Sequence, residues 1–302
     1  MEHVQWADRG QQVQVGRTDN EAPAFFAGVS RLGCAQLAGP SFSIWVQLRG
    51  SAWVEAKEGK FRLRRGDWIA LDRDSRPTVQ ADRGGVCVGI TLGADVLKAL
   101  GQFADLGLYA GRGQLDLSES RVMMHLWHQA VRRAEAGEGV AVQVLRPVLL
   151  HLAGLQQDSA ACVARCPGRS RSRKRQVFSR LQRARLYMEG NAERVVRIGE
   201  LADLTSFSSW YFSKTFQSVY GESPQAAAAR MRLERASDLL QTTTMMIGEI
   251  AAASGFDNCC SFARAFRARY GMSASRYRTA AASTGSAKSP GAAGKAVFRT
   301  GT

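Results

Sequence analysis

The feature that most constrains the fold of this 302-residue chain is a pattern of apolar residues that occurs twice near its C-terminal end. In the first half of the pattern the copies are 49 residues apart, with the matched residues Ile198, Leu201, Ala202 and Phe207 and then Ile247, Ile250, Ala251 and Phe256. In the second half the offset is 50, with the matched residues Phe212, Phe216, Tyr220, Gly221 and Ser223 and then Phe262, Phe266, Tyr270, Gly271 and Ser273. A pattern used twice indicates a duplicated supersecondary unit, here with one residue inserted between its halves.

Each copy has the spacing expected of two helices joined by a tight turn. The apolar residues in the first half lie three and four positions apart, as they do on one face of a short helix. In the first copy this helix is predicted to end near residues 205–206, and Ser208 is predicted to cap the helix that follows. In the second copy Asp257 is the predicted cap, after a turn at residues 255–256. Each copy is therefore predicted to be a helix-turn-helix.

A longer amphipathic helix is predicted between the copies, over residues 225–241. It follows Ser223 and Pro224, and proline is favoured in the first turn of a helix. Its inward-facing residues are Leu233, Ala236, Leu239 and Leu240. One continuous helix would hold the two copies at a fixed separation, so they could enter successive major-groove faces of one duplex, about one helical turn (~34 Å) apart.

A longer motif surrounds the repeat and fills most of residues 197–278. Its residues are Ser223, Pro224, Arg232, Leu233, Ala236, Leu239, Leu240, Ile247, Glu249, Ile250, Ala251, Gly255, Phe256, Phe262, Phe266, Gly271, Ser273, Tyr277 and Arg278. In these residues the chain resembles the C-terminal domain of AraC-type transcriptional regulators. It departs from that family at Ala274, where proline is common, and at Ala227 and Ala228, where larger residues are frequent. The resemblance implies two helix-turn-helix motifs, each with a recognition helix for the major groove.

The residues predicted to contact DNA lie on the outward faces of the second helix of each copy, because the paired phenylalanines point inward. They are Ser209, Trp210, Ser213, Lys214 and Gln217 in the first copy and Cys259, Cys260, Ser261, Arg264 and Arg267 in the second. The resemblance implies base or backbone contacts for Trp210, Lys214, Cys259, Cys260, Ser261 and Arg264. Thiols are poor hydrogen-bond partners for bases, so the base preference of the second copy stays open.

The positive charge of the chain is concentrated towards its C-terminal end. The formal net charge is +15, and residues 168–302 hold 22 Lys or Arg against 9 Asp or Glu, whereas residues 1–167 hold 19 against 17. Together with the repeat, this surplus predicts a surface that neutralises DNA phosphates. Solvated helix faces are the alternative. The run of basic residues from Arg169 to Arg175 is interpreted as a mobile linker within reach of phosphates.

The first half of the chain has the rhythm of short strands and glycine-centred turns. Strands are predicted over residues 43–48, 52–56, 61–63, 68–71 and 86–92, in a small antiparallel barrel or sandwich. The layout resembles the cupin-like sensing domain that often precedes this DNA-binding domain. No histidine lies between His3 and His125, so the barrel is predicted to be free of metal. His125 and His128 could share a helix face as metal ligands, but packing or surface exposure is favoured.

A small-molecule effector is the predicted ligand of this barrel. Trp45, Trp53 and Trp68 are the candidate lining residues, with Arg62 at the mouth for an anionic group. The alternative is that the aromatic residues simply fill the core. Amphipathic helices predicted over residues 117–134 and 140–155 would either pair two subunits or cover the barrel. Their predicted inner stripes are Val122, Leu126 and Ala130 and then Val144, Val148 and Leu152.

The predicted fold class is α+β, with an N-terminal cupin-like antiparallel β barrel and trailing helices followed by an all-α double helix-turn-helix domain. The predicted segments are a sensing or dimerisation domain over residues 1–158, a basic linker over 159–175, the DNA-binding domain over 176–280 and a disordered tail over 281–302. Six cysteines with no zinc or disulfide spacing are predicted to be reduced thiols. Redox sensing by Cys162 and Cys166 would need that segment to be helical.

The predicted function is that of a sequence-specific transcriptional regulator, an activator that responds to an effector. Its predicted partners are double-stranded promoter DNA, RNA polymerase and the effector, with a second copy of the chain as a further candidate. No enzyme activity and no cofactor are predicted. The chain shows no signal peptide and no apolar run near the ~20 residues that span a bilayer, so a bacterial, cytoplasmic, nucleoid-associated protein is expected. The alternatives are a constitutive DNA-binding protein without an effector and an enzyme fused to a DNA-binding domain.

Overall fold

The computed structural model describes residues 4–16, 24–104, 107–138 and 142–285. The strands are β1 (Val4–Ala7), β2 (Gln12–Val15), β3 (Ala24–Ser30), β4 (Cys34–Leu37), β5 (Phe42–Arg49), β6 (Ser51–Ala56), β7 (Gly59–Arg64), β8 (Asp67–Leu71), β9 (Thr78–Ala81), β10 (Val86–Leu92) and β11 (Gly111–Gln114). The helices are α1 (Ala94–Ala104), α2 (Leu117–Arg133), α3 (Val142–Gly154), α4 (Ser159–Arg165), α5 (Arg171–Gly190), α6 (Ile198–Thr205), α7 (Ser209–Tyr220), α8 (Pro224–Thr242), α9 (Ile247–Ala253), α10 (Cys259–Tyr270) and α11 (Ala274–Gly285). Contacts divide these elements into a first unit, which ends at Leu186, and a second unit, which begins at Tyr187.

The strands of the first unit form two separate sheets. Sheet A has the order β1-β3-β10-β5-β8-β11 and sheet B has the order β2-β4-β9-β6-β7. Most neighbours are antiparallel, but β1 pairs with β3 and β2 pairs with β4 in parallel. The five predicted strands are all present, and of the two predicted arrangements, barrel or sandwich, the two sheets correspond to the sandwich. Among the residues that the structure describes, the strands form these two sheets and not one closed ring, which makes the unit a two-sheet sandwich.

The central strands of sheet A are buried on both faces. Six consecutive residues of β5, from Phe42 to Gln47, are buried. One face packs against sheet B, in a cluster that contains Trp45 and Phe61. The other face packs against α2 and α3, in a cluster that contains Phe26 and Trp127. A strand with apolar side chains on both faces needs cover on both sides, so the helices complete the sandwich.

Three tryptophans of sheet A lie against glycines in the neighbouring strand. The paired positions are Trp6 with Gly28, Trp45 with Gly89 and Trp68 with Gly113. A Cβ atom added at Gly89 would lie 2.5 Å from the Trp45 ring, and one at Gly113 would lie 2.8 Å from the Trp68 ring. A glycine opposite an aromatic residue leaves room for the ring to lie on the backbone. The tryptophan rings are therefore held in place by the sheet itself.

The predicted inner stripe of α2 is confirmed only in part. Ala130 is buried and Leu126 packs half-buried against the same cluster, but Val122 is 46% exposed, and Met123 and Trp127 are buried in addition. The Val122 face and the Trp127 face both have apolar residues four positions apart, so periodicity alone does not decide which face is buried. Trp127 has the larger apolar area, so its burial stabilises the fold more. The Trp127 indole N–H also donates to the carbonyl of Gly89, at 3.2 Å. In α3 the predicted stripe of Val144, Val148 and Leu152 is confirmed.

The segment predicted to be a basic linker is mostly helical. It contains α4 and the start of α5, which begins at Arg171 after Ser170 accepts a hydrogen bond from the Arg173 amide. Lysine and arginine are good helix formers, so a basic run without apolar periodicity can still extend a helix that is buried further along. The predicted disordered tail starts within α11, which continues to Gly285, and residues 286–302 lie outside the described part of the chain.

Candidate nucleic-acid interface

The first module, formed by α6 and α7, is closed by local hydrogen bonds at each helix end. Glu200 accepts the backbone N–H of Arg197 at the start of α6, at 3.0 Å. The chain then turns through Ser206, whose φ of 53° is left-handed. Ser208 caps α7 as predicted, because its hydroxyl accepts the N–H of Tyr211 at 3.3 Å. The helix ends at Gly221, which is also left-handed. These bonds define a helix, a three-residue turn and a second helix.

The second module, formed by α9 and α10, repeats this geometry with one extra residue. Glu249 accepts the backbone N–H of Met246 at 2.8 Å, and the left-handed turn residue is Gly255, with a φ of 72°. The N-cap of α10 is Asn258, whose side chain accepts the N–H of Ser261 at 2.7 Å. The prediction of Asp257 as the cap was therefore wrong. Asn258 stands 50 residues after the first-module cap, and Asp257 is the inserted residue.

Aromatic side chains form the same ladder inside both modules. In the first, Phe216 lies 5.6 Å from Phe212 and 4.5 Å from Tyr220, measured between ring centroids. In the second, the equivalent separations are 5.4 Å and 4.5 Å, from Phe266 to Phe262 and Tyr270. All four phenylalanines are almost fully buried. The shared spacing of these rings fixes which residues of α7 and α10 face outward.

Helix α8 contacts α7, α9, α10 and α11 and joins the modules. Its first turn is capped by Ser223, which accepts the N–H of Ala226, and Pro224 is the first helical residue, as predicted. Two of its arginines reach the end of α9: Arg232 donates to the Gly255 carbonyl at 2.8 Å and Arg235 to the Ala253 carbonyl at 2.9 Å. These contacts satisfy carbonyls that the helix end leaves open. They fasten the second module to the connecting helix.

Further arginines of the second unit are committed to internal contacts. Arg278 donates to the Met245 carbonyl at 2.6 Å, and Arg230 forms ion pairs with Glu222 at 2.8 Å and Glu234 at 3.0 Å. Sequence reasoning did not identify these structural roles, although Arg232 and Arg278 belong to the family motif. Net charge counts every arginine alike, whereas only the fold shows which guanidinium groups meet carbonyls or carboxylates. Much of the cationic character of this unit is therefore used to hold it together.

Glu200 is the centre of a polar cluster before the first module. It accepts two hydrogen bonds from Arg194, at 3.1 and 2.7 Å, and lies 3.3 Å from the Tyr187 hydroxyl. The Arg194 guanidinium and the Arg197 backbone N–H lower the pKa of the Glu200 carboxyl to about 2. The carboxylate is therefore charged at neutral pH and holds the chain that leads into α6.

The outward face of α7 combines an exposed aromatic ring with a cation. Trp210 is 69% exposed, and the Lys214 ammonium lies 4.8 Å from the centroid of its ring. Ser209 and Gln217 are exposed on the same helix, whereas Ser213 is half-buried. A large apolar ring left in solvent beside an amine is unusual for a free surface and offers both an apolar and a charged contact to a partner.

The outward face of α10 carries thiols at its start and arginines further along. The predicted residues Cys259, Cys260, Ser261, Arg264 and Arg267 are all exposed. The cysteine pair stands apart from the other four thiols, of which three are buried and Cys34 is half-buried. The structure therefore brings each predicted set onto one surface of its helix. Contact of these residues with DNA stays a prediction at this point.

The predicted effector residues do not converge on one cavity. Trp45 is buried between the sheets, whereas Trp68 belongs to the cluster on the other face of sheet A. Trp53 points out of sheet B and is 47% exposed, because its neighbours Ala52 and Val54 face inward. The Arg62 guanidinium lies 5.8 Å from the centroid of the Trp53 ring, also on the outer face. The prediction that the three tryptophans line one interior with Arg62 at its mouth was wrong, because strand alternation and sheet pairing separate them.

The histidine pair on α2 and the pair of Cys162 and Cys166 were the remaining candidate sites. His125 and His128 are exposed on α2. In the described ranges, no group of three His, Cys, Asp or Glu side chains is placed to hold a metal ion. Cys162 lies on α4, whereas Cys166 follows the helix with extended backbone. Both are buried, and burial raises the pKa of the Cys166 thiol to about 12. Of the helices described, none has the length and hydropathy of a membrane span.

Comparison with known proteins places the modules in a family. Residues 201–280 match the family described as a helix-turn-helix domain. The chain is 31% identical to the HTH-type transcriptional activator AarP of Providencia stuartii over 93 residues, which cover 31% of this chain and 69% of that protein. It is 30% identical to the probable transcriptional regulator LumQ of Photobacterium leiognathi over 92 residues, which cover 30% of this chain and 37% of that protein.

Two further similarities each cover 34% of this chain. The HTH-type transcriptional regulator ExsA of Pseudomonas aeruginosa is 31% identical over 105 residues, covering 34% of this chain and 38% of that protein. Like LumQ, it is matched over little more than a third of its length. A solved structure of a probable AraC family transcriptional regulator from Rhodopseudomonas palustris is 35% identical, covers 34% of this chain and 96% of that chain, and has a TM-score of 0.32. With AarP matched over more than two thirds of its length, this chain belongs to the AraC-type family of helix-turn-helix transcriptional regulators.

Proposed function

We propose that α7 and α10 enter successive major-groove faces of one promoter duplex and that this binding regulates transcription in the bacterial cytoplasm. The observation that carries the proposal is the pair of twelve-residue helices with matched buried ladders and exposed polar faces, both packed against α8. A major groove accepts one helix, and two helices fixed to a common rod meet it about one turn (~34 Å) apart.

Within this interface, we assign the largest contributions to Lys214 and Arg264. Arginine can donate two parallel hydrogen bonds to a guanine edge, whereas the Lys214 ammonium suits a phosphate as a point charge. Trp210 is proposed to contact sugar or a thymine methyl group through its exposed ring. The thiols of Cys259 and Cys260 would supply apolar contact and weak hydrogen bonds, which leaves base discrimination in this module mainly to Arg264.

The proposal is tested by selecting duplexes from a randomised pool with the full chain and comparing wild type with Arg264→Ala. If Arg264 contacts a base, its loss costs about 1 to 3 kcal/mol on the selected duplex and relaxes preference at one position. Arg83→Ala, at an exposed turn of the first unit, is the matched control and keeps the preference. An unchanged binding isotherm for Arg264→Ala would refute its role, and a pool without enrichment would refute sequence-specific binding.

We further propose that the regulator is an activator that recruits RNA polymerase. The relative AarP is named as a transcriptional activator, which supports this direction of control. Transcription from a template with the selected site upstream of a promoter should rise on addition of the full chain. A fall in transcript would instead make the chain a repressor, and no change would contradict a direct effect on polymerase.

The first unit is proposed to sense a small molecule and to bring two copies together. Several apolar side chains on α2 and α3 remain exposed and could meet a second copy, namely Leu117, Val122, Met124 and Leu150. Sedimentation of the full chain should show a dimer that Val122→Glu with Met124→Glu dissociates, and a wild-type monomer would contradict pairing. For the effector, a thermal-shift screen of the full chain should find a stabilising metabolite, whereas equal DNA binding and stability with every metabolite would favour a constitutive binder.

A further inference from the structure

The positive surplus of the chain lies mainly on α4 and α5, outside the duplicated modules. Residues 159–188 contain nine Lys or Arg and no Asp or Glu. Residues 187–285, which include both modules, contain eleven against nine. Of the 22 basic residues that follow residue 168, eight therefore precede the second unit. This charge was predicted to belong to the repeat, but most of it lies in the first unit.

The most exposed part of this charge is the basic strip, defined as Arg169, Arg171, Arg173, Lys174 and Arg175. Arg169, Arg171 and Arg173 are exposed, whereas Lys174 and Arg175 are half-buried. Arg173 donates to the Gln176 side chain at 2.7 Å, and Lys174 donates to the Ala164 carbonyl, also at 2.7 Å. Both acceptors are neutral, so these hydrogen bonds position the cations without cancelling their charge.

Helix stability does not explain a strip of this kind. Arg173 and Lys174 lie in the first turn of α5, which contains no acidic residue. Cations in the first turn of a helix oppose the helix dipole, which favours anions there. The folded strip therefore carries an electrostatic cost that an external polyanion would relieve. Duplex DNA, with regularly spaced phosphates, is the polyanion that this family binds.

Four of the five residues of the strip stand on α5, which is firmly packed, and Arg169 precedes it. Val177, Phe178 and Leu181 are buried, and the Phe178 ring lies 4.8 Å from the Tyr109 ring, edge to face. Further along α5, Arg183 pairs with Glu58 at 2.9 Å, and the Glu58 side chain is only 1% exposed. Breaking such a buried pair is costly, so this part of α5 is anchored within the first unit. The cations are thus presented in a fixed arrangement and not on a loose linker.

We propose that the basic strip is a second DNA-contact surface, which binds the phosphate backbone of a duplex without discriminating between bases. This goes beyond the proposed function, because the contact is made by the first unit and not by α7 or α10. Only residues 191–197 separate α5, which carries most of the strip, from α6 of the first module. The strip would add affinity that is sensitive to salt and equal for all sequences.

The test compares two triple variants of the full chain on a duplex of mixed sequence. The strip variant is Arg169→Gln with Arg171→Gln and Arg173→Gln, and the control is Arg65→Gln with Arg73→Gln and Arg83→Gln. Each removes three exposed positive charges, and glutamine preserves helix propensity. Each phosphate contact contributes about 0.9 to the slope of log affinity against log salt, so the strip variant should lose about 2 to 3 from this slope. The control should keep the wild-type slope.

Equal slopes and affinities for the strip variant and the control would overturn the proposal. A third variant, with lysine at the same three positions of the strip, should retain the slope because a phosphate contact needs only the charge. In the wild-type protein, duplex DNA should also protect Arg169, Arg171 and Arg173, but not Arg65, Arg73 and Arg83, from an arginine-specific reagent. Equal modification with and without DNA would contradict the strip, even if the glutamine variant failed to fold.

These outcomes are separable from those of the proposed function. If wild type prefers no selected duplex over mixed sequence, base recognition by α7 and α10 fails, while the strip still sets the salt dependence on mixed sequence. If the strip variant binds like its control, the strip inference fails, while preference for the selected duplex survives. The two measurements therefore test different surfaces of the same chain.

Discussion

The two helix-turn-helix modules are alike where they are buried and different where they are exposed. Inside, their phenylalanines have the same separations and the same burial. Outside, α7 presents Trp210 over Lys214, whereas α10 presents a pair of cysteines followed by arginines. Packing tolerates few alternatives in a close-packed interior, but a solvent face can change without loss of the fold. The duplication therefore preserved a scaffold and left each module free to acquire its own contacts.

The largest predicted effect comes from the shared interior. Phe216→Ala and Phe266→Ala should each lower the free energy of unfolding by about 3 to 5 kcal/mol, because each removes a buried ring and leaves a cavity. Phe266 also lies 5.5 Å from the Tyr277 ring, so its loss should be at least as costly. Urea denaturation of the full chain measures both. A cost below 1 kcal/mol for either, on the order of a surface change, would contradict the equivalence of the two interiors.

The next prediction concerns the different exposed faces. Lys214→Ala should weaken binding to selected and mixed duplexes alike and reduce the salt slope by about 1, as expected for a phosphate contact. Arg264→Ala should instead act mainly on the selected duplex. Salt titrations on both duplexes separate the two behaviours. Loss of base preference in the lysine variant would show that the assigned roles are reversed.

The N-caps of α7 and α10 test whether the two modules remain equivalent next to the inserted residue Asp257. Asn258→Ala and Ser208→Ala should each cost about 1 kcal/mol of stability, since each removes the acceptor for a first-turn N–H group. Asp257→Ala, at the inserted residue, should cost less than about 0.5 kcal/mol. Thermal unfolding of the three variants provides the ranking. A larger cost at Asp257 than at Asn258 would restore the cap that the sequence predicted.

Replacing the turn residue of each module by that of the other should change stability in opposite directions. Ser206→Gly should stabilise the first module by a few tenths to about 1 kcal/mol, because glycine adopts a left-handed φ without steric cost. Gly255→Ser should destabilise the second module, since a Cβ atom there would lie 3.0 Å from the Arg194 Cα atom as well as adopting a strained φ. Unfolding midpoints of both variants test this. A destabilising Ser206→Gly would show that the serine side chain supports the turn.

The smallest predicted effect is a pH dependence in front of the first module. The pKa of Glu200 is lowered to about 2 from an ordinary value of 4.5, so its charged form stabilises the fold above pH 4.5 and this contribution is lost as the pH falls towards 2. For this partly exposed carboxylate the gain is below about 1 kcal/mol. Glu200→Gln should therefore flatten the acid side of the stability profile. An unchanged profile would contradict the assigned role of Arg194.

Much of the scaffold could be predicted from the sequence, because the repeat and the spacing of the strands show directly which positions are buried. The two modules, Ser208 as a cap and five of the eleven described strands were predicted correctly. The cap at Asn258 was missed because the sequence alone does not show whether Asp257 or Asn258 is the inserted residue. The helical basic segment was missed because lysine and arginine leave no apolar periodicity, even where they continue a buried helix.

Other features depend on distances that no local pattern contains. The arginines that bind carbonyls at the end of α9 resemble DNA-binding arginines in sequence, and only the fold separates Arg232 from Arg264. The tryptophans of the first unit looked alike as lining candidates, yet strand alternation and sheet pairing send Trp45, Trp53 and Trp68 to three different surroundings. The positions of these strands were predictable, whereas their assignment to two sheets, and with it the surroundings of each tryptophan, was not.

The most direct test of the account is the dependence of affinity on the spacing between the two sequence blocks that the full chain selects. Because α8 fixes the separation of α7 and α10, insertion of about five base pairs, half a helical turn, should rotate one block out of reach and reduce affinity to that of a single block. The predicted result is that this insertion weakens binding as much as mutation of one whole block. Undiminished affinity after the insertion would contradict two rigidly spaced modules on one duplex.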